Sequence, residues 1–376
     1  MSGLYIHIPF CRRKCTYCDF YLVTNLNIVD KFVINLLKEI ELTAPFYKNE
    51  KFDTIFFGGG TPSVLPPERL KEIIDVLKIN FNVSDNSEIT IEANPEDFQK
   101  DCKIANFEEY KSAGINRFSF GVQSFIDEEL KFLTRMHTAG QAENVIRECR
   151  KVFDNVSCDI IYSLPNQTKE NLQYSLNKVI ELNIPHVSAY TLIFEEQTKL
   201  YTLLQKNLVK QNEDSVESDL YSYVSEFLTQ KGFIHYEVSN YAKPGYESKH
   251  NLKYWSYENY IGLGPSAHSL HNEKRWNNFR DIIKYNIYLQ EGKLPTENEI
   301  ILDEKMKKME FIMLALRSTG VDYNRYNKFF NKNFYDENKI SIDELIKNEL
   351  GTISSGHFKL SEKGYKLTDE IVAKYF

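Results

Sequence analysis

Six times in the first two-thirds of this chain, a short run of β-branched and aromatic residues gives way to a helix-like stretch, and few folds accommodate that alternation. The runs occupy residues 4–9, 54–57, 88–92, 117–122, 157–163 and 187–192. Between them, residues 29–42 place Val29, Val33, Leu36, Leu37 and Ile40 on one helical face, and residues 66–77 open with prolines suited to a first helical turn. Strand alternating with helix calls for a parallel sheet joined by right-handed crossovers. The simplest closure is an α/β fold, a partial (βα)6 TIM-like barrel.

Neighbouring strand residues point to opposite faces, so each run splits into two sets. One set holds Ile6, Ile8, Ile89, Ile91, Phe118, Phe120, Val122, Cys158 and Ile160, which suits packing beneath helices. The other holds Tyr5, His7, Thr90, Glu92, Ser119, Gly121, Gln123, Ser157, Asp159, Ser188 and Tyr190. A closed barrel ordinarily fills its lumen with branched apolar side chains. Polar residues repeated on five strands predict a ligand cavity instead, although any one alone is as simply a strand end meeting water. Chemistry in such barrels gathers at the C-terminal strand ends, where Glu92, Gln123 and Asp159 fall.

Residues 1–231 read as the barrel. Residues 232–302 read as a loop-rich, aromatic-rich connecting segment, and 303–376 as a smaller, mainly helical C-terminal domain with a winged-helix-like ending. The formal charge of −7, from 46 basic and 53 acidic residues, leaves no whole-molecule positive field and argues against a nucleic-acid partner. No uncharged apolar run approaches the roughly 18 residues of a membrane span. Six cysteines are too few for a disulfide scaffold in a chain of 376 residues, so reduced thiols and a cytoplasmic location are expected.

Three of those cysteines crowd together as Cys11-x-x-x-Cys15-x-x-Cys18, directly after the first run. Thiolates so spaced can hold three irons of a cubane cluster and leave the fourth open to a small chelating ligand. A structural zinc site is the alternative, but it wants a fourth Cys or His at ligand spacing, and His7 lies on the strand itself. Arg12, Arg13 and Lys14 in the loop either offset cluster charge or are simply solvated. Cys102, Cys149 and Cys158 have no partner at ligand spacing and read as structural.

At these residues the chain resembles the radical SAM superfamily. Tyr17 occupies the aromatic position before the third cysteine, and Gly58-Gly59-Gly60-Thr61-Pro62 follows the second run as the superfamily's glycine motif does. The resemblance implies a 4Fe-4S cluster on Cys11, Cys15 and Cys18 and bound S-adenosylmethionine, with the fold a partial barrel of the radical SAM type.

Further stretches narrow the resemblance: Tyr5-Ile6-His7-Ile8-Pro9-Phe10-Cys11, Ile91-Glu92-Ala93-Asn94-Pro95, Phe120-Gly121-Val122-Gln123-Ser124-Phe125 and Asp159-Ile160-Ile161-Tyr162-Ser163-Leu164-Pro165 are similar to oxygen-independent coproporphyrinogen III oxidase and its relatives. By that likeness Tyr5, Gly59, Gly60, Thr61, Glu92, Gln123, Arg135, Asp159 and Ala189 match positions that contact S-adenosylmethionine. Two departures from the oxidase point to its HemW-type heme chaperone relatives. Phe20 stands where the oxidase has a further cysteine, and only a few residues precede Tyr5 where the oxidase has an extension. The hexapeptide His250-Asn251-Leu252-Lys253-Tyr254-Trp255 matches the chaperones' H-N-x-x-Y-W signature. That signature makes His250 the first candidate ligand for heme iron, with His268, His271 and His7 as rivals. The implied function is delivery of heme to an acceptor hemoprotein, with a respiratory hemoprotein as the expected kind. The alternative is a radical SAM enzyme decarboxylating a porphyrinogen. A homodimer is left open.

Overall fold

The computed structural model describes residues 1–100 and 103–376, so Cys102 lies outside the described residues. All six expected runs are strands: β1 (Ser2–Ile8), β2 (Lys51–Gly59), β3 (Asn82–Ala93), β4 (Arg117–Gln123), β5 (Val156–Tyr162) and β6 (His186–Thr191). They lie side by side in chain order, each parallel to the next. The core parity holds throughout: Ile6, Ile8, Ile89, Ile91, Phe118, Phe120, Val122, Cys158 and Ile160 all join one buried cluster. Helices Val29–Thr43, Pro67–Asn80, Ala139–Arg150 and Lys169–Glu181 cover that face with Leu36, Ile40, Ile73, Val145 and Leu176. Cys149, on the third of these helices, is as buried as Cys158.

The sheet does not close. Beyond β6 it continues antiparallel through β8 (Asn240–Ala242) to β7 (Ile234–Glu237). Beyond β1 come parallel β9 (Tyr260–Leu263) and then antiparallel β10 (His268–His271), β11 (Lys274–Asn278) and β12 (Thr296–Ile301), making twelve strands. The segment 232–302 is therefore not a loop-rich connector but the extension of both sheet edges. Strands of three to six residues are too short to display a period of two, which is why the sequence reads as loop there.

After β12 the chain builds a second core. Helices Glu304–Leu316, Tyr323–Phe330 and Phe334–Lys347 pack Phe311, Leu316, Tyr326, Phe334 and Ile342 against a small antiparallel sheet of β13 (Val321–Asp322), β14 (Gly351–Ser354) and β15 (His357–Leu360). This core also takes in Tyr257, Tyr260 and Leu270 from the large sheet's edge. Among the described residues no helix is long and apolar enough to cross a membrane.

Candidate functional site

The three-cysteine loop leaves β1 at its C-terminal end and is tied back on itself. The Cys11 N–H donates to the Val23 carbonyl (3.1 Å), the Val23 N–H to Pro9 (2.6 Å), and the Cys18 N–H to Cys15 (3.3 Å). Cys11 is buried, while Cys15 and Cys18 are half-buried. Burial pushes the Cys11 thiol up to about 12 against the opposing Thr61 hydroxyl, 3.1 Å from its sulfur. Among the described residues no three His, Cys, Asp or Glu side chains converge on one ion. Cys11, Cys15 and Cys18 stand on one short loop, a donor set whose chemistry suits a cluster that takes one thiolate to each of three irons.

The glycine motif ends β2 beside this loop. The Gly60 N–H donates to the Ile8 carbonyl (2.8 Å) and the Thr61 N–H to Phe10 (2.7 Å). A Cβ on Gly60 would stand 2.7 Å from the Phe10 carbonyl oxygen, and one on Gly59 2.6 Å from the His7 ring, on a backbone with φ of 108°. Glycine at these two positions lets the end of β2 lie directly against Phe10 and the His7 ring, where any methyl would clash. Glu92 of β3 accepts from the Gly59 N–H at 3.2 Å. Asn94, two residues on, donates to Thr61 Oγ1 (3.1 Å).

Arg135 completes the ring. Its Nη2 donates to Asn94 Oδ1 (2.5 Å) and to the Gly121 carbonyl (2.7 Å), and its Nη1 lies 3.5 Å from Cys15 Sγ. Gln123 closes β4 with φ of 72°, an unusual backbone for a residue with a side chain, beside a register shift against β5. Its amide lies over Gly121, where a Cβ would be 2.9 Å from Nε2. Asp159 of β5 accepts from Ser119 (3.2 Å). Burial, then the Asp159 charge, pushes Glu92 up to about 8, and burial pushes Asp159 up to about 6. Tyr5 stands deeper, its hydroxyl sharing a hydrogen bond with His7 Nδ1 (3.1 Å).

Ala189 lies on the other parity of β6 from Ser188 and Tyr190. Strand parity turns its methyl into the helix-side core beside Ile160, and its N–H is held by the Ser239 carbonyl (2.8 Å), so its side chain does not reach the lumen. Sequence reasoning also passed over Asn94 and Arg117. Asn94 follows Glu92 by two residues along one strand line, a parity signal that was there to use. Arg117 is 2 % exposed at the lumen's N-terminal end, and its charge acts on Glu88, Glu92, Asp159, His186 and His250.

His250 is not in a loop. It lies in helix Lys249–Trp255, packed at the N-terminal end of the strands, opposite the cysteines. It is 1 % exposed, with Nδ1 2.8 Å from Thr54 Oγ1 and Nε2 2.8 Å from the Tyr254 hydroxyl. Burial, then Lys253 and Arg117, holds it down to about 3. Both ring nitrogens are engaged, so the neutral ring offers no lone pair to iron in this arrangement. His137, His186 and His235 likewise have both nitrogens within hydrogen-bond reach of protein groups, as has His7.

Residues 5–179 match the model of the radical SAM superfamily. The heme chaperone HemW of Lactococcus lactis is 33% identical over 381 residues, an alignment covering 100% of this chain and 97% of that protein. The heme chaperone HemW of Bacillus subtilis is 34% identical, covering 100% and 99%. That of Escherichia coli is 37% identical over 269 residues, covering 71% of this chain and 69% of the relative. Among solved structures, coproporphyrinogen III oxidase from Escherichia coli superposes with a TM-score of 0.84 over 99% of this chain and 89% of its own, at 23% identity, a likeness of fold.

Proposed function

The chain belongs to the HemW heme chaperones of the radical SAM superfamily, and on that footing we propose that it binds heme and hands it to an acceptor hemoprotein while holding a 4Fe-4S cluster ligated by S-adenosylmethionine. The observation that carries this reading is the match to those chaperones along the entire chain, through the sheet extension and the second core.

In this reading Cys11, Cys15 and Cys18 hold the cluster. An open iron on such a cluster can bind the amino and carboxylate groups of S-adenosylmethionine and, when reduced, supply an electron to it. The chain's own residues do the positioning. Backbone at Gly59, Gly60 and Thr61 lets the ligand's amino-acid end lie close, and Glu92 stands beside it to accept from an ammonium. Arg135 is anchored by Asn94 and Gly121 with its charge toward Cys15, where it offsets the negative cluster. Gln123 and Asp159 line the lumen where the nucleoside would extend, and Tyr5 stands beneath.

The test is an anaerobically reconstituted protein given hemin and then an apo-hemoprotein. The expected result is a stoichiometric Soret band that moves to the acceptor. With S-adenosylmethionine, a reductant and coproporphyrinogen III, the same protein is expected to yield no protoporphyrinogen. Formation of that product with matching 5′-deoxyadenosine, or no heme uptake, overturns the proposal.

A further inference from the structure

With His250 fastened inside the molecule, heme needs another iron ligand, and the inference below rests on the heme-chaperone reading. Of the chain's eight histidines, all described, His268 makes no side-chain hydrogen bond or ion pair with any described residue, and its ring is exposed. The three half-exposed rings are less free, His235 having both nitrogens engaged. His271 reaches Glu50 and packs edge-on against Tyr47, and His357 lies in the second core's sheet with Asp322 and the Ser355 carbonyl as partners.

Position matters as much as freedom. His268 begins β10, opposite Asn277 of β11. Tyr260 pairs with both Gly3 and Leu270, and Gly3 faces the lumen, where a Cβ would meet the His250 ring. Leu270 and His268 are two apart on one strand, so His268 stands on the lumen side of the sheet. Because β10 runs antiparallel to β9, its first residue lies at the end where β1 passes into the cysteine loop. Gly264 packs there against the His7 carbonyl. His268 is close enough to His7, Arg275 and Arg280 for their charges to act on one another. Arg280 in turn donates to the Asp19 carbonyl (2.9 Å), beside Phe20, which is 68 % exposed in the cysteine loop.

We propose that His268 is the axial ligand of heme iron, at the lumen mouth between the cysteine loop and the sheet extension. One ring nitrogen donates its lone pair to the iron and no proton is lost, because the ring is neutral: burial, then Arg275 and Arg280, holds it below its ordinary value. Arg280 supplies a guanidinium for a propionate carboxylate, and Phe20 an apolar ring for the porphyrin face. The residue at position 20 would then serve cargo rather than cluster.

The test is hemin titration of the anaerobically reconstituted full-length protein, followed by absorption and electron paramagnetic resonance, for wild type, His268→Ala and His250→Ala. His268→Ala is expected to lose the nitrogen-ligand signature and bind heme about tenfold or more weakly, with the signature returning on added imidazole and with unchanged thermal unfolding, since the side chain is exposed. His250→Ala is expected to keep the signature and melt earlier. A wild-type spectrum and affinity in His268→Ala would overturn the ligand assignment while leaving the chaperone reading intact. Wild-type protein that takes up no stoichiometric heme would overturn that reading itself.

Discussion

Glu92 is a carboxyl placed where its charge is poorly solvated. Burial, then Asp159, pushes it up to about 8, and burial pushes Asp159 up to about 6 despite hydroxyls from Ser188 and Ser119. In the unfolded chain both ionise near pH 4. The folded protein therefore keeps protons that the unfolded chain has released. The stability these groups contribute is fully present below about pH 4 and is lost as pH rises, through about 6 for Asp159 and about 8 for Glu92. The melting temperature of cluster-free protein, followed from pH 5 to 9 at fixed ionic strength, is expected to fall across that window. Glu92→Gln should flatten the decline between pH 6 and 8, and an unaltered slope in that variant would reassign the titration to another group. An ammonium beside Glu92 would favour the carboxylate and so oppose the effect of burial on its titration.

The helix Lys249–Trp255 shows why the same six residues read differently in sequence and in structure. Its spacing advertises an imidazole and two aromatic rings, yet it closes the end of the sheet opposite the cysteine loop, where barrels invest in stability. Ser248 caps it, the His250 N–H donates to Glu88 (3.3 Å), and Lys253 reaches the Met1 carbonyl (2.7 Å), Asp53 (2.6 Å) and Glu258 (3.1 Å). Gly3 leaves room for the His250 ring, since a Cβ there would lie 2.9 Å from it. His250→Ala strands the Thr54 and Tyr254 hydroxyls and empties a filled site, so a loss of about 2 to 4 kcal/mol is expected in urea unfolding. Added to Thr54→Val, it should cost less than the two changes separately, and full additivity would show that the pair is not coupled. What could be read in advance was whatever repeats with a period: six strands, their two parities, and lumen residues such as Glu92 and Asp159. What could not was whatever depends on contacts distant in sequence, as between His250 and Thr54, or on strands as short as β8. Gln123 marks the same boundary, because a residue's φ is settled by neighbours on other elements, whereas the facing of Ala189 followed from the lumen parity of Ser188 and Tyr190.

On the scale of the molecule, the two ends of the parallel strands do different work. The C-terminal ends gather the cysteine loop, the glycine motif and His268. The N-terminal ends are sealed by helix Lys249–Trp255 and, behind it, by the second core. That sealing is hydrogen-bonded as well as apolar. The Val238 N–H donates to the Arg317 carbonyl (2.8 Å), and Ser318 Oγ to the Tyr236 carbonyl (3.0 Å). Tyr236 in turn reaches His186 Nε2 at 2.8 Å, at the lumen floor. Arg275 pairs with Glu310 at 2.7 Å, and Tyr257, Tyr260 and Leu270 are buried only together with Phe311 and its neighbours. A chain ending at Leu302 would bare those three side chains, leave Arg275 without Glu310, and uncover an N–H that the large sheet cannot satisfy by itself. The segment 303–376 is therefore expected to be an obligate part of one folding unit. Full-length protein should lose secondary and tertiary circular dichroism in a single urea transition, and the shortened chain should elute from a sizing column as aggregate. A monomeric shortened chain with native near-ultraviolet circular dichroism would instead make the sheet self-sufficient and free the second core for a separate role, such as contact with the hemoprotein that receives the cargo.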